Sequence, residues 1–271
     1  MSTEDEPGVD SPGRMDGQAA QRLSTDEQPA EHIRGREEAP VNGRTPRGAP
    51  AGSVAIVGCG PGRRSLVTPE AQQAVMNAGI LIGSRRVLDL FPEFKGNRIV
   101  LRGNYAEVLD LLERGHRTAA FAVLVSGDPG FHSFASSVVE RLGPSRCRTY
   151  PGISCVQYAF SRLGLPWEDA LLLSMHGGRV RGMKRLIRTS TKACILTGTG
   201  GVGEVLSRLP ARAFARRRLL VLENLALPGE RVSELTRREA LARKFSPLAV
   251  VVLVRRKKTG SSAGERRRHN G

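Results

Sequence analysis

The chain of 271 residues has few aromatic residues, few cysteines and no long apolar run. Its longest strictly apolar runs, 119–125 and 248–254, have seven residues each, far short of the roughly 20 that a membrane-spanning helix needs. No two of its 4 cysteines have the spacing of a Cys-x-x-Cys metal motif, so they predict buried thiols in a reducing compartment. We therefore expect a cytoplasmic protein with no membrane helix and no metal site of its own.

Charge divides the chain into three parts. Residues 1–50 carry a net charge of −4 and too little apolar surface to offset the entropy of ordering, and residues 255–271 form a polar tail with a net charge of +6. We predict that both segments are disordered, and that the acidic start is not a secretory signal. The central residues 51–254 carry +14, which attracts an anionic partner unless it reflects only a general preference for arginine.

The central region alternates short apolar runs with longer mixed segments, which is typical of an α/β protein. The apolar runs predict strands at 54–58, 80–84, 97–102, 121–127, 170–177, 192–198, 218–225 and 248–254. The mixed segments predict helices at 68–79, 104–115, 134–143, 154–164 and 201–209. A proline and turn cluster at 145–152 favours a join there, so we predict an N-terminal lobe over 51–149 and a C-terminal lobe over 150–254.

Three glycine-containing corners follow predicted strands, and the first is VGCGPG at 57–62. A dinucleotide-binding fingerprint would place glycines at 58, 60 and 63, but the third position holds Arg63. Pro61 also lacks the backbone N–H that a phosphate cradle uses. The local sequence therefore favours a tight turn that needs glycine torsion angles over a pyrophosphate site.

The second corner, SGDPGF at 126–131, brings Ser126, Gly127 and Asp128 to the carboxyl end of an apolar strand, where open α/β sheets bind ligands. Asp128 either faces such a ligand or caps its own turn, and both interpretations fit the sequence. The third corner, YPGISCVQ at 150–157, leads into a helix capped by Ser154. Free N–H groups at such a helix start suit a carboxylate or a ribose.

In their order and spacing, the three corners together resemble the tetrapyrrole methylase family, and the resemblance covers about 54–254. It implies a two-lobed α/β enzyme that binds S-adenosylmethionine (SAM) in a cleft between its lobes. Three longer segments, 79–92, 151–178 and 221–232, are similar to the branch that methylates C5 of precorrin-7, or of its cobalt form, in cobalamin biosynthesis. The family often forms dimers, so the resemblance also implies a homodimer.

Carried over position by position, the resemblance implies particular site residues. The SAM pocket would be formed by Pro61, Ser126, Gly127, Asp128, Phe131, Ser154, Cys155, Thr197 and Leu225. The segment SMHGG at 174–178 would face the substrate. One departure is Arg63, since the family commonly has Asp after the first corner.

Methyl transfer to a ring carbon needs positioning and exclusion of water more than a nucleophilic side chain. His176 is the candidate for moving a proton or orienting the ring, with Glu223 and Glu230 as lesser candidates. The alternatives are a histidine that only makes a hydrogen bond at a strand end and glutamates that only pair with arginines. Corrin intermediates carry many carboxylates, for which the candidate partners are Arg63, Arg85, Arg86, Arg179 and Arg181. Any cobalt would belong to the substrate.

Two other functions stay open. A SAM methylase of the same fold that acts on uroporphyrinogen III or RNA would have the same corners. A non-catalytic nucleic-acid-binding protein would instead use the RRKK and RRR runs of the basic tail. With 8 Phe, 3 Tyr and 1 Trp, the chain has few rings on which bases can stack, so nucleic acid is the less favoured partner.

Overall fold

The computed structural model describes residues 52–176 and 181–256. The segment 1–50 lies outside these residues, and so does all of the predicted basic tail beyond Arg256. Within the described ranges, no helix has the length and apolar character needed to cross a membrane.

The first sheet is parallel, and its two central strands are buried along their whole length. It is formed by β1 (Val54–Gly58), β2 (Ile80–Gly83), β3 (Asn97–Val100), β4 (Phe121–Val125) and β5 (Cys147–Tyr150). The strand order is β3-β2-β4-β1-β5, and every neighbouring pair is parallel. Strands β1 and β4 contain no charged residue, as expected of central strands covered on both faces.

Helices cover both faces of this sheet. They are α1 (Pro69–Met76), α2 (Arg85–Leu88), α3 (Tyr105–Gly115) and α4 (Ala135–Leu142). Helices α1 and α2 pack on one face, and α3 and α4 pack on the other. Helix α1 begins where the sequence predicts, because the Thr68 side chain accepts a hydrogen bond from the Ala71 N–H at 3.2 Å and Pro69 suits the first turn.

The second sheet is mixed. It is formed by β6 (Ala170–Ser174), β7 (Lys192–Leu196), β8 (Arg217–Glu223), β9 (Arg231–Leu235) and β10 (Ala249–Arg255), in the order β6-β7-β10-β8-β9. Only β6 and β7 are parallel; the other neighbours are antiparallel. Helix α5 (Cys155–Leu163) packs on one face. The other face carries α6 (Met183–Thr189), α7 (Gly201–Arg208) and α8 (Arg237–Leu241).

The structure corrects the predicted boundaries at two positions. The segment 145–152, predicted as a join, contains β5, which pairs with β1, so Tyr150 belongs to the first sheet. Arg255, predicted to begin the tail, pairs with Arg217 at the end of β10. We therefore call residues 52–150 the first lobe, and residues 151–176 and 181–256 the second lobe.

Candidate active site

The three glycine corners are joined by hydrogen bonds at the carboxyl end of the first sheet. The Gly60 N–H donates to the Gly127 carbonyl at 3.2 Å, and the Gly127 N–H donates to the Gly60 carbonyl at 2.9 Å. The Asp128 carboxylate accepts hydrogen bonds from the Gly130 N–H at 2.8 Å and from the Gly152 N–H at 3.1 Å. Asp128 thus caps its own turn and also connects the second corner to the third.

The glycines are required here by close backbone packing. A Cβ on Gly152 would lie 2.7 Å from the Gly58 carbonyl carbon and would also clash with the Gly127 carbonyl oxygen. A Cβ on Gly58 would lie 2.6 Å from the Gly152 nitrogen, and Gly60 has a φ of +67°. The sequence interpretation of the first corner as a tight turn agrees with this geometry, in which its glycines contact protein backbone.

A cavity of about 280 Å³ lies between the joined corners and the second lobe. All nine residues implied for a SAM pocket line it: Pro61, Ser126, Gly127, Asp128, Phe131, Ser154, Cys155, Thr197 and Leu225. The segment from Pro247 to Val250 and the end of β7 complete the wall. The structure therefore brings together residues from five separate segments, although their part in binding SAM stays a prediction.

Among the described lining residues of this cavity, Arg86 is the one arginine. Its guanidinium donates to the Ser126 Oγ at 2.7 Å and to the Pro61 carbonyl at 3.4 Å, and burial lowers its pKa. The only carboxylate among the described lining residues is that of Asp128, whose two oxygens already accept backbone N–H groups. The cation is thus held in place by neutral groups and can pair with a ligand carboxylate.

Cys155 contributes a thiol to the cavity wall. Burial raises its pKa, so the group stays protonated near neutral pH. Because the thiolate is the nucleophilic form of cysteine, a neutral Cys155 does not compete for an electrophilic methyl group.

Two histidines from different lobes line this cavity. His176 follows β6, and its Nδ1 lies 3.0 Å from the Ser174 Oγ. His132 belongs to the second corner, has a φ of +48°, and packs edge-on against Phe131 with a ring separation of 4.8 Å. Partial burial lowers the pKa of His132, and the nearby His176 lowers it further. Sequence reasoning missed His132, although it directly follows SGDPGF.

Arg63 lies outside the cavity wall and connects the two lobes. Its guanidinium donates to the Tyr158 hydroxyl at 3.0 Å, and that hydroxyl donates to the Glu230 carboxylate at 3.2 Å. Glu230 also accepts from the Ala226 N–H at 2.8 Å and pairs with Arg162 at 2.5 Å. These contacts account for Arg63 and Glu230 as parts of the lobe interface.

The remaining candidates lie elsewhere. Arg85 and Arg181 are exposed and do not line the cavity, while Arg179 lies outside the described residues. Glu223 is buried, pairs with Arg231 at 2.8 Å, and accepts from the Ser246 N–H at 2.9 Å. It therefore fixes the segment that leads into the cavity wall. Over 52–176 and 181–256, no three His, Cys, Asp or Glu side chains are grouped to hold a metal ion.

Comparison with known proteins identifies the family. Residues 53–241 match the family model described as Tetrapyrrole (Corrin/Porphyrin) Methylases. The cobalt-precorrin-7 C(5)-methyltransferase of Salmonella typhimurium is 34% identical over 179 residues, which cover 66% of this chain and 88% of that protein.

Two solved structures share the fold. The cobalamin biosynthesis precorrin-6Y methylase of Archaeoglobus fulgidus has a TM-score of 0.58 and 24% identity, over 76% of this chain and 98% of that one. The uroporphyrin-III C-methyl transferase of Thermus thermophilus, solved as a complex with S-adenyl homocysteine, has a TM-score of 0.62 and 24% identity, over 75% of this chain and 92% of that one. The α/β fold predicted from the alternation of apolar and mixed segments is confirmed, and the chain belongs to the tetrapyrrole methylase family.

Proposed function

We propose that this methylase transfers a methyl group from SAM to C5 of precorrin-7 or cobalt-precorrin-7. The observation that carries the proposal is the cavity where the three corners meet, since its described lining residues include a fixed cation and two histidines but no activated nucleophile. The 34% identity to a C5-methyltransferase supports this acceptor over uroporphyrinogen III, because the likeness to the uroporphyrin enzyme concerns the fold.

The cavity suits SAM by its chemistry. Its walls are largely apolar, from Phe131, Leu225, Leu248 and Val250, and they can enclose an adenine ring and the carbon chain of a methionine. Ser126 and the protonated Cys155 add small polar groups without charge. When bound, SAM supplies an electrophilic methyl group on a sulfonium.

The chain's own residues then have three tasks. The apolar wall excludes water and holds the two reactants in line, which is most of what methyl transfer requires. Arg86 fixes a carboxylate of the substrate and so sets the orientation of the ring. One of the two lining histidines accepts the proton that leaves the ring system, and neutral His132 is suited to this because its pKa is lowered.

The test is an incubation of the full chain with SAM that carries a ¹³C methyl group and with each form of precorrin-7. We expect mass spectrometry to show the gain of one methyl group and carbon NMR to place the label at C5. No gain with either form would overturn the proposal. Methylation of uroporphyrinogen III alone, in a parallel reaction, would assign the enzyme to another branch of the family.

Two finer expectations accompany this function. We expect a homodimer because proteins of this family often form dimers, and light scattering on the purified chain tests this. A cytoplasmic location suits an enzyme with four free thiols, and cell fractionation tests it.

A further inference from the structure

A second cavity, of about 810 Å³, is surrounded by cationic side chains. Eight of its described lining residues are basic: Lys184, Arg185, Arg188, Arg212, Arg216, Arg217, Arg255 and Arg256. The rest of the lining is small and uncharged, from Pro210, Ala213 and Ala215, and it includes no carboxylate. We call this cavity the basic pocket.

The basic pocket lies at the opposite end of the second sheet from the candidate active site. Strand β10 connects the two, since Ala249 and Val250 line the first cavity and Arg255 lines the basic pocket. Arg255 lies six positions along the strand from Ala249, a distance of about 20 Å. The two cavities share no lining residue, so the basic pocket is a separate site.

Arg217 gives the pocket a fixed, buried charge. Its guanidinium donates to the carbonyls of Ile187 and Ser190, both at 2.6 Å, and to that of Thr191 at 3.3 Å. Burial lowers the pKa of Arg217, and neighbouring Arg255 lowers it further. Among the described lining residues there is no Asp or Glu to neutralise these two cations.

Most of the other cations are free to bind a ligand. Arg256 lies 3.6 Å from Glu234, and Arg255 donates to the Arg188 carbonyl at 2.9 Å. In the part of the chain that the structure describes, the side chains of Lys184, Arg185, Arg188, Arg212 and Arg216 have neither hydrogen-bond nor ion-pair partners, so they are free to donate.

Backbone strain gives a second, independent indication. Four non-glycine residues in the described ranges have positive φ: His132, Arg216, Asn224 and Ala226. His132 lines the candidate active site, and Asn224 and Ala226 flank Leu225, which also lines it. Arg216, at +57°, lines the basic pocket. Strain of this kind concentrates at functional sites, and here it is divided between the two cavities.

We propose that the basic pocket binds a compact oligophosphate. Planar guanidinium groups donate in pairs to phosphate oxygens, and several of them converge on one concave space. A single-stranded nucleic acid fits less well, because the described lining residues include no aromatic side chain on which a base could stack. The proposal does not depend on the identity of the methyl acceptor.

The test is calorimetric titration of the full chain with inorganic triphosphate at physiological ionic strength. We expect saturable binding that the triple variant Arg185→Gln, Arg188→Gln, Arg212→Gln weakens by about tenfold or more. These three side chains are exposed, so circular dichroism should show an unchanged fold. The matched control is Arg102→Gln, Arg114→Gln, Arg117→Gln, which removes the same charge from exposed positions of the first lobe.

The outcomes separate the alternatives. If the control variant keeps its affinity for triphosphate and the pocket variant loses it, the result supports an oligophosphate site in the basic pocket. Equal loss in both variants, or no saturable binding, would overturn it, because a general positive field would then explain any attraction. Tighter binding of citrate, or of a single-stranded RNA oligomer whose binding the pocket variant weakens, would also overturn it by assigning the pocket to a carboxylate ligand or to nucleic acid.

Discussion

The Asp128 carboxylate accepts a hydrogen bond from the Gly152 N–H at 3.1 Å, across 24 residues of sequence. Asp128 follows β4 and Gly152 follows β5, two strands that both neighbour β1. The bond joins the second and third corners beside the candidate active site. Asp128 lines the cavity, and both of its carboxylate oxygens accept backbone N–H groups, so the bond holds two parts of the cavity wall together.

Replacement of Asp128 by Ala should both destabilise the chain and weaken SAM binding. Two backbone N–H groups would lose their acceptor, at a cost of about 1–3 kcal/mol in the free energy of unfolding. Asp128→Asn keeps one acceptor oxygen, so its free energy of unfolding and its affinity for SAM should fall less than those of Asp128→Ala. Urea unfolding and calorimetry with SAM measure the two effects. Asp89→Ala, at an exposed carboxylate, is the control, and unchanged values for Asp128→Ala would contradict the assignment.

Two Gly→Ala substitutions should have opposite effects. At Gly152 the new methyl group would lie 2.7 Å from the Gly58 carbonyl carbon, against backbone that cannot move away. We expect Gly152→Ala to lower the free energy of unfolding by several kcal/mol, or to prevent folding. Gly203 lies exposed within α7 with nothing within 4 Å, so Gly203→Ala should stabilise by about 0.5–1 kcal/mol. Thermal unfolding of both variants checks this, and a stable Gly152→Ala would refute the packing argument.

The sequence predicts the central strands and most helices but misses two strands at sheet edges. Strands β1 and β4 are strongly apolar because helices cover both of their faces. Strands β5 and β9 each lie at the end of a sheet and are largely exposed, with the polar sequences CRTY and RVSEL. An edge strand needs little apolar surface, so its pattern resembles that of a loop.

The sequence also predicts some residues of the candidate site and misses others. The nine residues implied by resemblance belong to short motifs, and all of them line one cavity. His132 depends on the other lobe for its environment, since the residue that lowers its pKa beyond burial is His176, 44 positions away. Local sequence also could not show that Arg63 reaches Tyr158 while Arg86 faces the cavity. These contacts depend on how the two lobes pack against each other, which a local sequence pattern does not contain.

Arg86 and its neighbour Arg85 should respond differently to mutation. Arg86 lines the cavity, and in the proposed function it pairs with a carboxylate of the substrate, so Arg86→Gln should raise KM for the corrin by about ten- to hundredfold. Arg85 is exposed outside the cavity, and Arg85→Gln should stay within about twofold of the wild type. Steady-state kinetics at a fixed concentration of SAM measure KM for both variants. An equal change in KM for the two would contradict the assignment of Arg86 as a substrate-binding residue.

The acid limb of the pH profile should identify the proton acceptor. His132 must be neutral to accept a proton, and its pKa is lowered from 6.5, first by burial and then by His176. The base is therefore active at pH 7, and kcat should fall only as pH drops below 6.5. His132→Gln should lower kcat by about 10²-fold or more and remove this limb. His176→Gln is the matched variant: a limb that survives in His132→Gln but disappears in His176→Gln would transfer the role to His176.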